Sequence, residues 1–440
     1  MKLEEIIEAS NAQIIKTTET IENIKISTDT RTIKKGDFYP PLKGANFDGE
    51  KFLDKAIENG AIGCFITGEN YPQNAQIVLK VENTLETYLK LANFYRKQIN
   101  PKVIAITGSS GKTTTKEMVF AVLKEKFNTI KTLSNHNNEI GLCQTIFSMD
   151  KNCEALIIEM GMRGLGEIET LTTYSEPDIA IITNAGSAHL GRLGSLDNIA
   201  IAKCEITKKL NKQGTLIAHD NPRIKTFNDF DGEKIFYSIN DTKILESKAG
   251  YTKFIYKNFE YELFTEGNYN VENSISAIET GLKLGLTYEE IKNGLASYKP
   301  IEKRWEAEQI NGLNIINDSY NANPDSMKAS VSTFLGLYSN PIVILGDMGE
   351  LGESEAELHS QVGIELAKIA PKNTKFITVG QLSKNIAKKL ENFDTTSVET
   401  NKDASIILQK KAQEGSNVFL KASRSMKFEE IISYLKKENK

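Results

Sequence analysis

The stretch Thr107-Gly108-Ser109-Ser110-Gly111-Lys112-Thr113-Thr114 constrains the fold more than any other part of this chain. It follows the apolar run Val103-Ile104-Ala105-Ile106 and opens into Lys116-Glu117-Met118-Val119-Phe120, so a buried strand runs into a glycine turn and then a helix. Backbone N–H groups in such a turn, at the positive end of a helix dipole, can cradle phosphate oxygens, while a lysine and the next hydroxyl reach terminal phosphate and Mg²⁺. The general pattern would put its first glycine at Ile106, whereas here only two residues separate Gly108 from Gly111. Gly-Lys-Thr alone is a weak signal. With its flanking strand and helix it points to a nucleoside triphosphate, against the bland alternative of a structural turn.

At 440 residues the chain exceeds one ordinary core and predicts three domains. Its charges nearly cancel, to a formal net charge of -4, so there is no electrostatic footprint of nucleic-acid binding and small-molecule substrates are favoured. Cys64, Cys143, Cys153 and Cys204 lie far apart without a Cys-x-x-Cys pair, which argues against a zinc site or a disulfide framework and for reduced thiols. The acidic, amphipathic start from Met1 to Glu8 is followed by no long apolar region, and no later stretch could span a bilayer. A soluble cytoplasmic monomer without membrane insertion is expected.

The fold class expected is α/β in three domains. Residues 1–99 alternate short strand-like and helical pieces, such as Ile24 to Ser27, the helix Glu50 to Asn59 ended by Gly60, and Ile62 to Ile66. Pro101 closes this small α/β domain. Residues 100–300 carry apolar strands at Ala155 to Ile158, Ile179 to Ile182 and Thr215 to Ala218 with helices between them, the pattern of a mainly parallel-sheet P-loop ATPase domain. After Pro300, strands at Ile315 to Asn317, Ile342 to Leu345, Phe376 to Val379 and Val418 to Leu420 predict a Rossmann-like C-terminal domain over 301–440. There is no internal repeat and no low-complexity segment.

Functional groups gather at the carboxyl ends of strands in parallel sheets, where Glu159, Asn184 and His189 are expected. Glu159 could hold Mg²⁺ or sit in a strand-end salt bridge. His189, in the small-residue loop Thr183 to Gly191, could reach a metal or a phosphate, or be structural. Lys203 reads as a solvated helix lysine. Asp220-Asn221-Pro222-Arg223 copies an amino-acid-recognition signature but follows a central strand, where a polar turn explains it and no substrate role is assigned.

Taken in order, Thr28 to Arg31, Leu42 to Gly44, Thr107 to Thr114, Asn135 to Gly141, Glu159 to Gly161, Asn184 to Gly194, Gly267 to Asn273, Asn317 to Ser326 and Gly346 to Gly352 resemble the Mur ligase superfamily over nearly the whole chain. These are ATP-dependent amide-forming enzymes of bacterial peptidoglycan synthesis. The outer segments Asn321 to Ser326, Leu345 to Gly352 and Leu420 to Met426 resemble the members that join D-alanyl-D-alanine to UDP-N-acetylmuramoyl-tripeptide. The resemblance implies ATP held by Gly108, Ser109, Ser110, Gly111, Lys112, Thr113 and Thr114, with Asn273, Arg304 and Asp318 completing its site. It implies two Mg²⁺ ions on Thr113, Glu159, His189 and Lys203, the lysine being carbamylated by CO₂. Lys112, His189, Lys203 and Arg304 would be catalytic. Thr28, Asp29, Arg31, Lys43 and Gly44 would hold the UDP-sugar in the first domain, and Asn321, Asn323 and Asp325 the incoming dipeptide in the third.

Two departures from the family pattern stand out. Tyr269 takes a position where histidine is common, and Pro40-Pro41 should stiffen the strand before Leu42 and remove two backbone donors. The rival readings are a sibling ligase, such as folylpolyglutamate synthase or the third-residue ligase, and a nucleotide switch. Against the switch, the chain carries no Asn-Lys-x-Asp guanine signature.

Overall fold

The computed structural model describes residues 1–17, 21–44, 47–133, 136–301 and 303–437; Asn135, of the segment Asn135 to Gly141, lies outside them. Among the described residues the main strands form three α/β sheets along the chain, in keeping with the expected class, with a three-stranded and a two-stranded antiparallel sheet besides. The four cysteines are free and buried.

The first sheet has the order Gln13–Lys16, Ile77–Lys80, Gly63–Ile66 and Phe38–Tyr39, parallel except for its first strand. Ile24 to Ser27 does not form the expected strand: Ile26 makes a single bridge to Phe38. The expected helix from Glu50 divides into a 3₁₀ turn, Gly49–Phe52, and a short helix, Leu53–Glu58. The strand Phe38–Tyr39 ends before Pro40, so the prolines follow it rather than stiffen it, and the Pro41 carbonyl accepts a hydrogen bond from Thr84 Oγ1 at 2.8 Å. Helix Thr84–Ile99 is capped by Asn83 and ends at left-handed Asn100 before Pro101. It docks onto the next unit through Asn93 Nδ2 on Tyr174 O and an Arg96–Glu176 ion pair.

The central sheet is six-stranded and wholly parallel, in the order Glu233–Tyr237, Thr215–His219, Ile179–Ile182, Lys102–Thr107, Ala155–Glu159, Thr129–Lys131. Alternation decides which core each residue joins. Val103 and Ala105 pack with Leu142, Ile146, Ile168 and Ile199 on one face, while Ile104 and Ile106 pack with Met118, Val119, Val271 and Ile275 on the other. Burial on both faces is why these strands read as continuous apolar runs. The strand Lys102–Thr107 lies where the strand order reverses direction, which puts its following loop at the switch point of the sheet. A three-stranded antiparallel sheet, Thr242–Lys248, Tyr251–Tyr256 and Phe259–Leu263, was not foreseen and lies beside it.

The third sheet runs Glu306–Ile310, Leu313–Asn317, Asn417–Lys421, Pro341–Gly346, Lys375–Val379, Asp394–Val398, parallel apart from its first, edge strand. Helices Pro324–Leu337 and Glu355–Ile369 cover one face, and Asn401–Lys411 with Glu429–Lys437 the other.

Candidate active site

The carboxyl ends of the central and C-terminal sheets face each other across a cleft of about 1320 Å³. Residues 109–114, Glu159, His189, Asn273, Arg304, Asp318, Asn321, Asn323 and Asp325 all line it. Sequence positions 109 to 325 thus meet in one place. Thr28, Asp29, Arg31, Lys43 and Gly44 lie outside this lining. Asp29 is instead held by Arg31, whose Nε and guanidinium nitrogen bind both carboxylate oxygens and lower its pKa to about 2.

The glycine turn is built against the neighbouring strand end. Gly108 sits so close to Thr183 that a Cβ would fall 1.9 Å from its Oγ1, and Gly111 has φ +78° with Asn273 Oδ1 2.6 Å from where a Cβ would lie. Asn184 Oδ1 accepts from the N–H groups of Ser109 and Ser110, both at 3.0 Å, and Thr183 Oγ1 donates to Ser110 O. Two amides of the turn are therefore committed to Asn184. The donors that helix geometry leaves for phosphate are those at the start of helix Lys112–Leu123. Lys112 Nζ folds back on Gly108 O at 2.7 Å, and burial foremost pushes its pKa down.

Three buried groups stand next to this turn, and two of them carry a polar atom that makes no hydrogen bond. Glu159 is 3% exposed; one oxygen takes a 3.3 Å hydrogen bond from Asn137, while Oε2 has none. Lys116, which nothing in the sequence singled out, is 1% exposed with Nζ 3.6 Å from Glu159 Oε2. Lys203 departs from what its local sequence suggests. It is not a solvated helix lysine: it is fully buried and its Nζ has no hydrogen-bond partner. Its helix, Leu196–Cys204, packs its last turn against the sheet, so the side chain points into protein rather than water. Burial, and then the charge of Lys112, push its amine well below the usual lysine range against a weaker pull from Glu205. His189, in left-handed backbone at φ 66°, is likewise pushed down, by burial first and then by Lys203.

The C-terminal unit supplies the opposite wall. Arg304 lies 4.0 Å above the ring of Tyr320, flanked by left-handed backbone at Lys303 and Trp305, and its buried Nε has no hydrogen-bond partner. Lys421, 3% exposed, holds Asp318 Oδ2 at 2.5 Å. Asn323 caps helix Pro324–Leu337 through Ser326 N, and Asp325 reaches across to Ser187, accepting from its N–H at 2.9 Å and its hydroxyl at 2.8 Å. Tyr269 packs edge-on to Trp305, with its hydroxyl buried and unpaired. Asp220-Asn221-Pro222-Arg223 proves to be a helix start, Asn221 accepting from Arg223 N at 2.9 Å, and His219, Asn221 and Arg223 line the cleft rim.

A glycine turn at a sheet switch point, facing an arginine from a second α/β unit across a shared cleft, defines a phosphate-loop enzyme that works between two domains. The comparisons narrow this. Residues 106–281 match the family model described as Mur ligase middle domain, and residues 303–424 match Mur ligase, glutamate ligase domain. The chain is 37% identical over 431 residues to the UDP-N-acetylmuramoyl-tripeptide–D-alanyl-D-alanine ligase of Bacillus subtilis strain 168, covering 93% of this chain and 92% of that one. It superposes on a crystal structure of MurF from Acinetobacter baumannii with a TM-score of 0.89 at 27% identity, over 99% of this chain and 98% of that one. The MurF ligase of Thermotoga maritima in complex with ADP gives a TM-score of 0.85 at 26% identity, over 94% and 97%. This chain belongs to the Mur ligase family.

Proposed function

We propose that this chain is the ATP-dependent ligase that joins D-alanyl-D-alanine to UDP-N-acetylmuramoyl-tripeptide, giving UDP-N-acetylmuramoyl-pentapeptide, ADP and phosphate for peptidoglycan synthesis. The observation that carries this is the cleft itself, which sets Lys112 opposite Arg304 in a chain aligned along 93% of its length with a ligase of that name.

A carboxylate is a poor electrophile, so amide formation needs its activation, and transfer of the ATP γ-phosphoryl group to it gives an acyl phosphate that the dipeptide amine attacks. Two anions must meet. Lys112 and Arg304 supply positive charge there, the amides of Gly111 to Thr114 cradle phosphate, and Asn273 takes the adenine. Lys421 holds Asp318 toward the nucleotide. Asn321, Asn323 and Asp325 hold the dipeptide, and Thr28, Asp29, Arg31, Lys43 and Gly44, in residues 1–99, hold the UDP-sugar.

Glu159 Oε2 and Lys203 Nζ, both buried and neither with a hydrogen-bond partner, fit a site for Mg²⁺. Thr113 would hold one ion, and Glu159, His189 and Lys203 a second; bound Mg²⁺ supplies charge neutralisation between phosphate and carboxylate. Among the described residues no three His, Cys, Asp or Glu side chains form a ready cation site. A neutral Lys203 amine can attack CO₂, losing one proton, and the carbamate so formed would be the second anionic ligand, beside Glu159 and the neutral imidazole of His189. Action as a cytoplasmic monomer belongs to the same proposal; no helix among the described residues is long and apolar enough to cross a membrane.

The test is ATP-dependent phosphate release with UDP-N-acetylmuramoyl-tripeptide, comparing D-alanyl-D-alanine with D-alanine, diaminopimelate, lysine and glutamate, with mass spectrometry of the product. Release with the dipeptide alone and a pentapeptide product are expected. Turnover with a single amino acid would move the chain to a sibling activity, and release indifferent to acceptor would end the ligase reading.

A further inference from the structure

Glu350 stands in the turn that follows strand Pro341–Gly346 of the C-terminal unit, and its carboxylate reaches the central unit. Oε2 lies 2.5 Å from His189 Nδ1, Oε1 lies 3.3 Å from Arg192 Nε, and the Glu350 carbonyl accepts from Gly191 N–H at 3.0 Å. The carboxylate thus lies against Nδ1 as an ion-pair contact whose alignment falls short of a hydrogen bond. With Nδ1 facing Glu350, Nε2 is the ring nitrogen left for the cleft that His189 lines.

The contact is built, not incidental. His189 and Glu350 both hold left-handed backbone, at φ 66° and 62°, a conformation that residues other than glycine keep only where their surroundings enforce it. Two glycines let the chains touch: a Cβ on Gly191 would fall 2.4 Å from Gly352 N, and one on Gly352 would fall 2.8 Å from Gly191 Cα. Behind the turn, buried His359 accepts from Met348 N–H at 2.9 Å and fixes the backbone two residues before Glu350.

We propose that Glu350 is a positioning residue: it docks on His189 Nδ1 when the C-terminal unit closes, turning Nε2 into the cleft, so that the cation site is complete only in the closed enzyme. A carboxylate on the far nitrogen of a ligating histidine fixes its tautomer and ring orientation and raises its basicity. Here that carboxylate comes from the other domain. Cation binding and closure must then favour one another by the same factor. The proposal rests on reading His189 as a cation ligand.

The test uses the full chain with Mn²⁺ as the probe, a non-hydrolysable ATP analogue present, and free Mn²⁺ counted by electron paramagnetic resonance. Glu350→Ala should weaken Mn²⁺ binding by about ten-fold or more and lower kcat more than it raises the KM for ATP. Glu350→Gln keeps an oxygen that accepts from Nδ1–H and should recover most of the affinity. Glu353→Gln, on the adjacent exposed turn, should hold Mn²⁺ as the wild type does, and Arg192→Ala, which removes only the other ion pair between the units, should cost clearly less affinity than Glu350→Ala. Wild-type Mn²⁺ affinity in Glu350→Ala, with binding lost in His189→Ala, would overturn the proposal and spare the ligand reading. Equal losses in Glu350→Ala and Arg192→Ala would make the contact simple docking and overturn it too. No Mn²⁺ uptake by the wild type would remove the ligand reading and this proposal with it.

Discussion

A lysine with no exposed surface and no hydrogen-bond partner, as Lys203 is, costs the fold free energy rather than supplying it. Lys203→Met, similar in volume and without the amine, should therefore melt at the wild-type temperature or above it, while dipeptide-dependent phosphate release falls by about 10²-fold or more, as losses of a charge-stabilising group do. A lower melting temperature with activity retained would make Lys203 structural. His359 makes the opposite kind of contribution. Its Nε2 accepts from Met348 N–H, which only the neutral ring can do, and burial holds its pKa below the usual histidine value. The folded value lies below the unfolded one, so this stability is complete above about pH 6.5 and is lost as the pH falls below it toward the folded value. His359→Leu should cost about 1–3 kcal/mol near neutrality, the price of an unpaired buried amide, and should flatten the loss of stability between neutral and mildly acid pH in denaturant titrations. The His359 contact was not legible in the sequence, and for Lys203 only the family resemblance, not the local residues, pointed to a role. Lys203 follows Ala202 on an ordinary helix, and only the packing of its last turn, a tertiary fact, turns the side chain inward.

At the scale of elements, what was legible is what is local. The strand Lys102–Thr107, its turn and helix Lys112–Leu123 announce themselves because double burial makes the strand apolar and the turn demands glycine. The antiparallel strands between Thr242 and Leu263 and the edge strand Glu306–Ile310 did not, because exposed faces dilute their apolar pattern. Nor could sequence show that Asn184 takes two amides of the turn, which depends on strand Ile179–Ile182 lying beside it. The turn should tolerate no side chain at Gly108. Gly108→Ala would drive Cβ to 1.9 Å from Thr183 Oγ1 in a backbone conformation that side chains rarely adopt, and should lower the affinity for an ATP analogue, measured calorimetrically, by about ten-fold or more. Adding Thr183→Ala removes Oγ1 and should restore part of that loss, because the backbone strain remains. Simple additivity in this double-mutant cycle would mean the two residues do not meet as described.

Over the whole molecule, closure depends on a few polar contacts between the central and C-terminal units rather than on a broad apolar seam. Asp325 binds Ser187, Glu350 binds Arg192, and Tyr338 hydrogen-bonds to Glu266, which is 2% exposed. Polar contacts of this kind let domains separate and re-dock, as a site that must admit large substrates and then exclude water requires. The Tyr338 contact is the one that water screens least. Tyr338→Phe would leave a carboxylate oxygen of Glu266 buried without that donor in the closed state, penalising closure by about 1–3 kcal/mol. In X-ray scattering, the concentration of ATP analogue needed to compact the enzyme should then rise by about five-fold or more. Affinity for the UDP-sugar substrate in the open enzyme should not change, since the first-domain residues expected to hold it lie outside the cleft. An unchanged compaction midpoint would show that Tyr338 and Glu266 merely touch on closing, and the free energy of closure would have to come from Asp325, Glu350 and the bound nucleotide instead.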